Sequence, residues 1–313
     1  MAMPLIVDCD PGQDDAVALF FAMANPSAFE LLGITAVAGN VPLTRTAYNA
    51  RVIRELAGRL DVPVLAGCPR PMVLPPRTAE YIHGEGGIDG AALPEPSAPL
   101  EPVHAVVWLI ETLRAAKRPV TLATLGPLTN IATALVMAPD VSAKIERLVL
   151  MGGAIGLGNV TASAEFNIYV DPHAAAVVFG SGVPLAMIGL DVTHQARATP
   201  ERIARIAAAS GGKCAQATAG MLAFFSARYA EAGRVAGGGP LHDPCVIAYL
   251  LRPDLFQGRP MRVEIELASP LTLGRTVCDP ACRDGQPANA TVLERIDADG
   301  YFVLIAEAVA RLP

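Results

Sequence analysis

The strongest constraint in this chain is a cluster of carboxylates that directly follows the apolar run Pro4-Leu5-Ile6-Val7, namely Asp8, Asp10, Asp14 and Asp15. Like charges at the end of a buried strand repel one another, and burial adds to the cost of keeping them ionised. A cation or tightly bound hydroxyl groups must therefore compensate them. Because the donors are carboxylates rather than paired thiolates or imidazoles, they suit a hard cation such as Ca²⁺ or Mg²⁺ better than zinc or copper.

The residues within this cluster predict a sharp transition from strand to helix. Pro11 and Gly12 end the strand, and Asp14 and Asp15 open an apolar helix predicted over residues 16–22. Acidic side chains in the first turn interact favourably with the positive end of a helix. Capping alone would explain these two acids, but it leaves the carboxylates at the strand end unexplained.

Two known motifs that bind metal or phosphate, the EF-hand loop and the phosphatase Asp-x-Asp motif, do not match the cluster fully. An EF-hand loop counted from Asp8 requires an acidic ligand at its twelfth position, which is Leu19 here. Phosphatases of the haloacid dehalogenase type also begin with an apolar strand and Asp-x-Asp. They continue with a Gly-Thr turn instead of Pro-Gly-x-Asp-Asp, so a phosphatase with Asp8 or Asp10 as nucleophile stays an alternative with a partial fit.

The composition excludes several classes of function. The chain has 313 residues, 52% of them hydrophobic, yet no uninterrupted apolar run approaches the roughly 18 residues of a membrane span. No basic residue precedes Arg45, so the charged region of a signal peptide is missing and we expect a cytoplasmic protein. A net charge of −6 without runs of Lys or Arg argues against nucleic-acid binding. Six scattered cysteines indicate reduced thiols and no zinc site.

Apolar strands alternate with helical patterns along the chain, which predicts a parallel sheet covered on both faces. We expect a single α/β domain over residues 1–313, with an open, mostly parallel, Rossmann-like sheet flanked by helices. Strands are predicted at residues 31–38, 120–124, 148–151 and 185–190. Ligands of such sheets bind outside the carboxyl ends of the strands, so these side chains should converge on one crevice: Asp10, Asn40, Leu125 and Met151.

Glycine-rich segments in this chain do not indicate a nucleotide site. Residues 152–158 do not match Gly-x-Gly-x-x-Gly in any register, and no Walker lysine follows them. Two irregular regions, 67–102 and 233–240, are rich in glycine and proline, and we interpret them as lids over the crevice.

Further polar clusters complete a pattern that resembles the nucleoside hydrolase family across essentially the whole chain. The motifs that carry the resemblance occur in the family's order: Asp-x-Asp-Pro-Gly-x-Asp-Asp at the start, Leu125-Gly126-Pro127-Leu128-Thr129-Asn130, Met151-Gly152-Gly153, Asn159 with Glu165-Phe166-Asn167, and His242-Asp243-Pro244. Each motif alone would be weak evidence, but five in the same order are highly specific.

The resemblance implies a Ca²⁺ site formed by Asp10, Asp15, Asp243 and the backbone carbonyl of Leu125. Calcium accepts six to eight oxygen ligands, so the ribose 2′- and 3′-hydroxyls and a water have room to complete the shell. The resemblance also implies that Asp10 acts as the general base for the attacking water.

By the same resemblance, a second set of residues holds the ribose. It implies that Asp14, Asn40 and Asn167 bind the ribose diol, that Asn159 and Glu165 hold the 5′-hydroxyl, and that Met151 lies beneath the sugar. Phe166, between two of these residues, is counted with the substrate-binding set.

The leaving base needs a proton or hydrogen bonds, and His242 and His83 are the candidate catalytic donors because histidine titrates near neutral pH. Tyr229 and Arg234 are expected to contact the base. Trp108, the only tryptophan, lies mid-helix among apolar residues and is interpreted as core rather than as a stacking platform for a purine.

The implied activity is Ca²⁺-dependent hydrolysis of the N-glycosidic bond of ribonucleosides. The substrate would be a small-molecule ribonucleoside, either pyrimidine-preferring for uridine and cytidine or broadly inosine-uridine, and the enzyme a homo-oligomer, either dimer or tetramer. The non-catalytic alternative is a nucleoside- or ribose-binding protein that retains the metal site.

Overall fold

A nine-stranded sheet forms the centre of the protein, and the computed structural model describes residues 1–233 and 237–313. The strands are β1 (Met3–Cys9), β2 (Phe29–Ala36), β3 (Val64–Ala66), β4 (Val120–Thr124), β5 (Ile145–Met151), β6 (Leu185–Ile188), β7 (Arg197–Ala198), β8 (Gly239–Pro240), β9 (Phe256–Ile265), β10 (Thr276–Asp279) and β11 (Ala290–Ile296). The order in the sheet is β10-β9-β11-β6-β5-β4-β1-β2-β3, while β7 and β8 pair separately.

Helices connect the strands and cover both faces of the sheet. They are α1 (Gln13–Met23), α2 (Leu43–Leu56), α3 (Glu80–His83), α4 (Ala105–Ala115), α5 (Thr129–Met137), α6 (Phe166–Val170), α7 (Pro172–Phe179), α8 (Leu190–Thr193), α9 (Pro200–Ala209), α10 (Lys213–Glu231), α11 (Pro244–Leu251) and α12 (Ala298–Val309). Short 3₁₀ turns span Pro139–Lys144 and Pro253–Leu255. Among the described residues, no helix combines the length and the apolar character needed to cross a bilayer.

The pairing of the strands confirms the predicted mostly parallel α/β domain. Strands β3, β2, β1, β4, β5, β6 and β11 pair in parallel, whereas β9 and β10 run antiparallel at one edge. Alternate residues of β1 enter different cores: Leu5 and Val7 pack on one side of the sheet, and Ile6 packs on the other. Burial on both faces explains why the strand is a continuous apolar run instead of an alternating one.

Some predicted boundaries differ from the observed ones. The strand predicted over 185–190 ends at Ile188, because Gly189 is the residue before α8 and Leu190 already belongs to that helix. The predicted lid over 67–102 contains the short helix α3, and its last residue is His83.

Helix α12 anchors the segment that enters the candidate site from the C-terminal half of the chain. Tyr301 is fully buried, and its hydroxyl donates a hydrogen bond of 3.0 Å to the carbonyl oxygen of Leu241. Leu241 directly precedes His242 and Asp243, so this bond fixes the backbone that presents both residues.

We expect Tyr301→Phe to lower the free energy of unfolding by about 1–3 kcal/mol, because it leaves a buried carbonyl without its hydroxyl donor. Urea unfolding followed by circular dichroism measures the change. Tyr249→Phe is the matched control, since no described residue hydrogen-bonds to the Tyr249 hydroxyl. Equal effects of the two variants would contradict the role given to the Tyr301 hydroxyl.

Candidate active site

The turn between β1 and α1 is shaped by the side chain of Asp15. Its Oδ1 accepts a hydrogen bond of 3.2 Å from the backbone N–H of Asp10, and its Oδ2 accepts one of 3.0 Å from Gly12. The carboxylate therefore satisfies backbone donors that the start of a helix leaves unpaired. The bond to Asp10 brings the aspartate before the Pro11-Gly12 break close to the one after it, Asp15.

Three buried carboxylates meet at the mouth of this turn. Oxygen atoms of Asp14, Asp15 and Asp243 lie within 4.8 Å of one another, a spacing that could hold a metal ion. Asp243 reaches the cluster from the other half of the chain, because it directly precedes α11. The motif near residue 10 and the motif near residue 243 are therefore one site in space.

Asp10 lies beside this triad and is held by the segment after β2. Its Oδ2 accepts a hydrogen bond of 2.7 Å from the backbone N–H of Asn40, whose Nδ2 donates to the Asp10 carbonyl at 3.1 Å and to Asp15 Oδ2 at 3.2 Å. A Cβ atom on Gly39 or Gly126 would collide with the Asp10 carboxylate, so glycine permits the close approach of both backbones.

Burial and mutual repulsion dominate the electrostatics of the cluster. Burial, followed by repulsion from Asp15, raises the pKa of Asp10 well above its ordinary value. The same two causes raise the pKa of Asp14 to about 8, and burial followed by repulsion from Asp14 raises the pKa of Asp243 well above its usual range. A positive charge among these carboxylates would oppose all three shifts.

Two oxygens of the cluster have no hydrogen-bond partner within residues 1–233 and 237–313. They are Oδ1 of Asp10 and Oδ1 of Asp14, and both are buried. Buried polar atoms are nearly always paired in folded proteins, so unpaired carboxylate oxygens beside a carboxylate triad fit a cation. The donor set is hard oxygen, as Ca²⁺ prefers.

The fourth aspartate of the N-terminal motif, Asp8, lies apart from the cavity. Its Oδ1 accepts hydrogen bonds from Thr35 Oγ1 at 2.5 Å and Asn130 Nδ2 at 2.8 Å. Burial raises its pKa to about 7. This carboxyl group joins β1 to β2 and α5 beneath the site, and it does not line the cavity wall.

One cavity extends from the carboxylate cluster along the carboxyl ends of the strands. Most of the residues expected at the site line this cavity: Asp14, Asn40, His83, Leu125, Met151, Asn159, Glu165, Phe166, Asn167, Tyr229, His242 and Asp243. Asp10 and Asp15 lie buried beneath this lining. Arg234 lies outside the described residues.

Amide side chains connect neighbouring strand ends in the cavity wall. Asn167 Nδ2 donates to the Leu125 carbonyl at 2.6 Å and to the Met151 carbonyl at 3.1 Å, and it lies 3.5 Å from the Met151 sulfur. Asn159 Oδ1 accepts a hydrogen bond of 3.0 Å from the backbone N–H of Phe166. These contacts place two amide groups with fixed orientation on one side of the cavity.

Glu165 combines a place in the cavity wall with a capping role. Its carboxylate accepts hydrogen bonds from the backbone N–H groups of Gly153, Asn167 and Ile168 at 2.9, 3.0 and 3.2 Å. Burial nevertheless raises its pKa to about 7, against the lowering effect of these donors. The carboxyl group thus fixes the start of α6 and the position of Asn167.

The opposite part of the lining is aromatic. Ring centroids of His83 and Phe225 lie 5.5 Å apart, those of Phe225 and Tyr229 5.3 Å, and those of Tyr229 and His242 6.4 Å. His242 Nδ1 lies 2.7 Å from the Thr193 hydroxyl. Burial lowers the pKa of His83 to about 3, and burial followed by the charges of His194 and His83 lowers the pKa of His242 well below its usual value.

Sequence reasoning missed several residues of this wall. Phe225 lies one helical turn before Tyr229 on α10, so helical spacing from the predicted base contact could have identified it. Ala79, Tyr81, Ile82 and Val160 also line the cavity, and nothing in the local sequence pattern marks them. Trp108 packs beside Gly33 of β2 and is not among the residues that line the cavity.

The observed carboxylate triad differs in one member from the expected metal ligands. The expected set contained Asp10, whereas the oxygens that meet within 4.8 Å belong to Asp14, Asp15 and Asp243. Asp10 lies beside these three residues, with its Oδ2 bonded to the Asn40 backbone and its Oδ1 without a partner among the described residues. The Leu125 carbonyl accepts a hydrogen bond from Asn167.

Comparison with known proteins identifies the family of this chain. A sequence model of the inosine-uridine preferring nucleoside hydrolase family matches residues 5–303. The chain is 48% identical to the pyrimidine-specific ribonucleoside hydrolase RihA of Shewanella sp. strain ANA-3, over 99% of this chain and 97% of that protein.

Solved structures show the same fold. A purine-preferring ribonucleoside hydrolase from Gardnerella vaginalis superposes with a TM-score of 0.91 at 32% identity, with 98% of each chain covered. An inosine-uridine preferring nucleoside hydrolase from Bacillus anthracis superposes with a TM-score of 0.81 at 25% identity, with 99% of this chain and 100% of that chain covered. The chain therefore belongs to the nucleoside hydrolase family and is an N-glycosyl hydrolase.

Proposed function

We propose that this enzyme hydrolyses the N-glycosidic bond of ribonucleosides to free base and ribose in a Ca²⁺-dependent reaction, with pyrimidine nucleosides as preferred substrates. The observation that carries the proposal is the cavity itself, which joins a buried carboxylate cluster, an amide-rich wall and an aromatic wall. The pyrimidine preference is supported by the similarity to the pyrimidine-specific relative.

The cation would be held by Asp10, Asp15, Asp243 and the Leu125 carbonyl. An oxygen of Asp14 lies within 4.8 Å of oxygens of Asp15 and Asp243, so Asp14 adjoins the same site. When bound, it supplies positive charge that stabilises the ionised carboxylates and Lewis acidity toward a water and the sugar diol. The unpaired oxygens of Asp10 and Asp14 and the hard donor set support calcium here.

Asp10 takes the role of general base. Hydrolysis requires that a water lose its proton as it attacks the anomeric carbon, and a positioned carboxylate can accept that proton. Oδ2 of Asp10 is fixed by Asn40, and Oδ1 stays without a partner among the described residues, so one oxygen is oriented and the other is available. Ionised carboxylates nearby also favour the positive charge that develops on the sugar.

The ribose lies against the amide-rich wall, with Met151 beneath the sugar. Asp14, Asn40 and Asn167 bind the diol, while Asn159 and Glu165 hold the 5′-hydroxyl and Phe166 lines the same part. A site that matches each hydroxyl strongly rejects analogues that lack one, so 2′-deoxynucleosides should be poor substrates.

The base lies against the aromatic wall, where Tyr229 and Phe225 provide ring surfaces. His242 and His83 are the candidate donors to the departing base. We favour His242, because a hydroxyl hydrogen from Thr193 to Nδ1 would leave the hydrogen of a neutral ring on Nε2, where it can be donated.

A phosphatase is a poorer fit to this cavity. The described lining contains neither Lys nor Arg, the side chains that commonly hold phosphate groups, and it is rich in groups that match a sugar. The family membership points the same way.

We also propose that the enzyme is a cytoplasmic homo-oligomer, either dimer or tetramer. All six cysteines are free thiols, which suits a reducing compartment. The oligomeric state rests on the family resemblance, and light scattering measures it.

Thorough removal of calcium should abolish uridine hydrolysis and lower the melting temperature. Without the ion, folding raises the pKa values of these carboxyl groups, so the folded state binds their protons more tightly than the unfolded state does. Protonation at low pH therefore stabilises the folded protein. This contribution is lost as the pH rises toward about 8, the pKa of Asp14. The gain in melting temperature on adding calcium should therefore grow with pH between about 5 and 8.

Two variants make the calcium experiment specific. Asp15→Asn should lose the calcium-dependent gain in melting temperature, while Asp140→Asn, which changes an exposed carboxylate paired with Arg114, should keep it. Full activity in a chelated sample shown to be metal-free would disprove the metal role.

Asp10→Asn should lower the turnover number by roughly two to four orders of magnitude, the usual effect of losing a positioned base. Steady-state uridine hydrolysis with saturating calcium measures it. Asp8→Asn is the matched control two residues earlier, because the Asp8 carboxylate bonds to Thr35 and Asn130 instead of belonging to the carboxylate cluster, and this variant should lose much less activity. A metal-loaded Asp10→Asn variant with the wild-type rate would refute the assignment.

His242→Ala should slow uridine hydrolysis severely but hardly affect p-nitrophenyl riboside, whose leaving group departs without protonation. An interaction made only in the transition state lowers kcat and kcat/KM together, whereas lost ribose binding would impair both substrates. His104→Ala, at an exposed helix start, serves as the control. Parallel losses on both substrates would rule out a donor role for His242.

A further inference from the structure

The buried side chain of Gln13 contacts His83, the last residue of α3, in the cavity wall. Gln13 is the first residue of α1, and none of its surface is exposed. Its Nε2 donates to the backbone carbonyls of His83 and Asp89 at 2.9 and 3.2 Å. Its Oε1 lies 2.8 Å from the Nδ1 atom of the His83 ring.

These contacts fix the orientation of the Gln13 amide. Backbone carbonyls only accept hydrogen bonds, so the atom that faces both of them must be the amide nitrogen. The amide oxygen then faces His83, and because this oxygen also only accepts, the hydrogen of the pair must be on Nδ1 of His83.

A neutral imidazole carries one hydrogen, so a hydrogen on Nδ1 leaves Nε2 as an acceptor. Burial keeps the ring neutral, since it lowers the pKa of His83 to about 3. The ring lines the cavity, and no residue within 1–233 or 237–313 donates a hydrogen bond to Nε2.

We propose that Gln13 is a positioning residue for base recognition, which holds His83 in the Nδ1–H tautomer so that Nε2 accepts a hydrogen bond from an N–H group of the base. This inference rests on the proposed nucleoside hydrolysis and adds a chemical requirement for the base. Uracil offers its ring N3–H, and cytosine offers its exocyclic amino group. His83 in this tautomer has no Nε2 hydrogen to give to the leaving base, which leaves the donor role to His242.

The tautomer can be measured directly in the full-length protein. Long-range ¹H–¹⁵N correlation spectra distinguish a protonated from an unprotonated ring nitrogen, and the His83 signal is assigned by its loss in His83→Gln. We expect protonated Nδ1 and unprotonated Nε2. A hydrogen on Nε2 in the wild-type protein would overturn the inference even if the enzyme hydrolyses nucleosides.

Modified substrates test the requirement for an N–H donor. Uridine should be hydrolysed at least about tenfold better than 3-methyluridine, which lacks the ring N–H, whereas 5-methyluridine keeps it and controls for size. Cytidine and N4,N4-dimethylcytidine form the second arm, and the arm that loses activity identifies the donating group. Unchanged rates in both arms would refute the acceptor role, while failure of every nucleoside would refute the proposed function instead.

Gln13→Met removes the amide group while keeping a side chain of similar size. It should lower the ratio of kcat/KM for uridine to kcat/KM for 3-methyluridine by about 3- to 10-fold, which is the effect of one neutral hydrogen bond. Its rate on p-nitrophenyl riboside should change little, since that substrate has no base to recognise.

Asn49→Leu is the matched control. Asn49 Nδ2 holds the same loop through the carbonyl of Gly86 at 2.9 Å and also donates to the Pro11 carbonyl at 3.0 Å, and no hydrogen bond joins it to the His83 ring. Asn49→Leu should leave unchanged both the preference for the N–H-bearing substrate and the Nδ1–H tautomer of His83. If Gln13→Met and Asn49→Leu narrowed the substrate preference equally, Gln13 would only anchor the loop and would not position the His83 ring. If Gln13→Met does not fold, the tautomer spectra and the substrate panel of the wild-type protein test the proposal.

Discussion

Repulsion among buried carboxylates is the constraint on which the rest of this structure depends. Four carboxyl groups from two distant parts of the chain are removed from water and face one another, and burial raises their pKa values. Backbone N–H groups stabilise Asp15 and Asp10, whereas Oδ1 of Asp10 and Oδ1 of Asp14 have no partner among the described residues and are stabilised only by protonation or by a positive charge. The protein therefore folds around a carboxylate cluster that fits a cation, and a bound cation would couple its own binding to stability.

The same constraint explains where the chain uses glycine and where it uses rigid packing. Glycines at 39 and 126 let two strand ends approach the Asp10 carboxylate closely, because a Cβ at either position would collide with it. Every residue of α1 is buried, so the helix that presents Asp14 and Asp15 is held on all sides. Rigid placement is what a catalytic carboxylate needs, since small displacements of a positioned base cost much of its effect.

Much of this architecture follows from the sequence, and the parts that do not have identifiable reasons. Apolar runs predicted β4 with its observed bounds, and the motifs with their family resemblance supplied most of the residues that line the cavity. The antiparallel strand β10 was missed, because four residues with mixed burial carry little pattern. Gln13 was missed because its importance lies in contacts with residues 70 and 76 positions away, which no local pattern encodes.

The loop from His83 to Asp89 is fastened to the body of the protein chiefly through its backbone. Gln13 and Asn49 hold it by the carbonyls of His83, Gly86 and Asp89, and glycines at 84 and 87 adopt positive φ values of 79° and 82°. Its side chains contribute as well, because Ile88 packs in the hydrophobic core and the Asp89 carboxylate lies close to Gly84 and Gly86, whereas Glu85 is exposed. For enzyme engineering, this makes the loop a fixed frame around His83, in which the exposed Glu85 is the position that can be varied without disturbing the anchors.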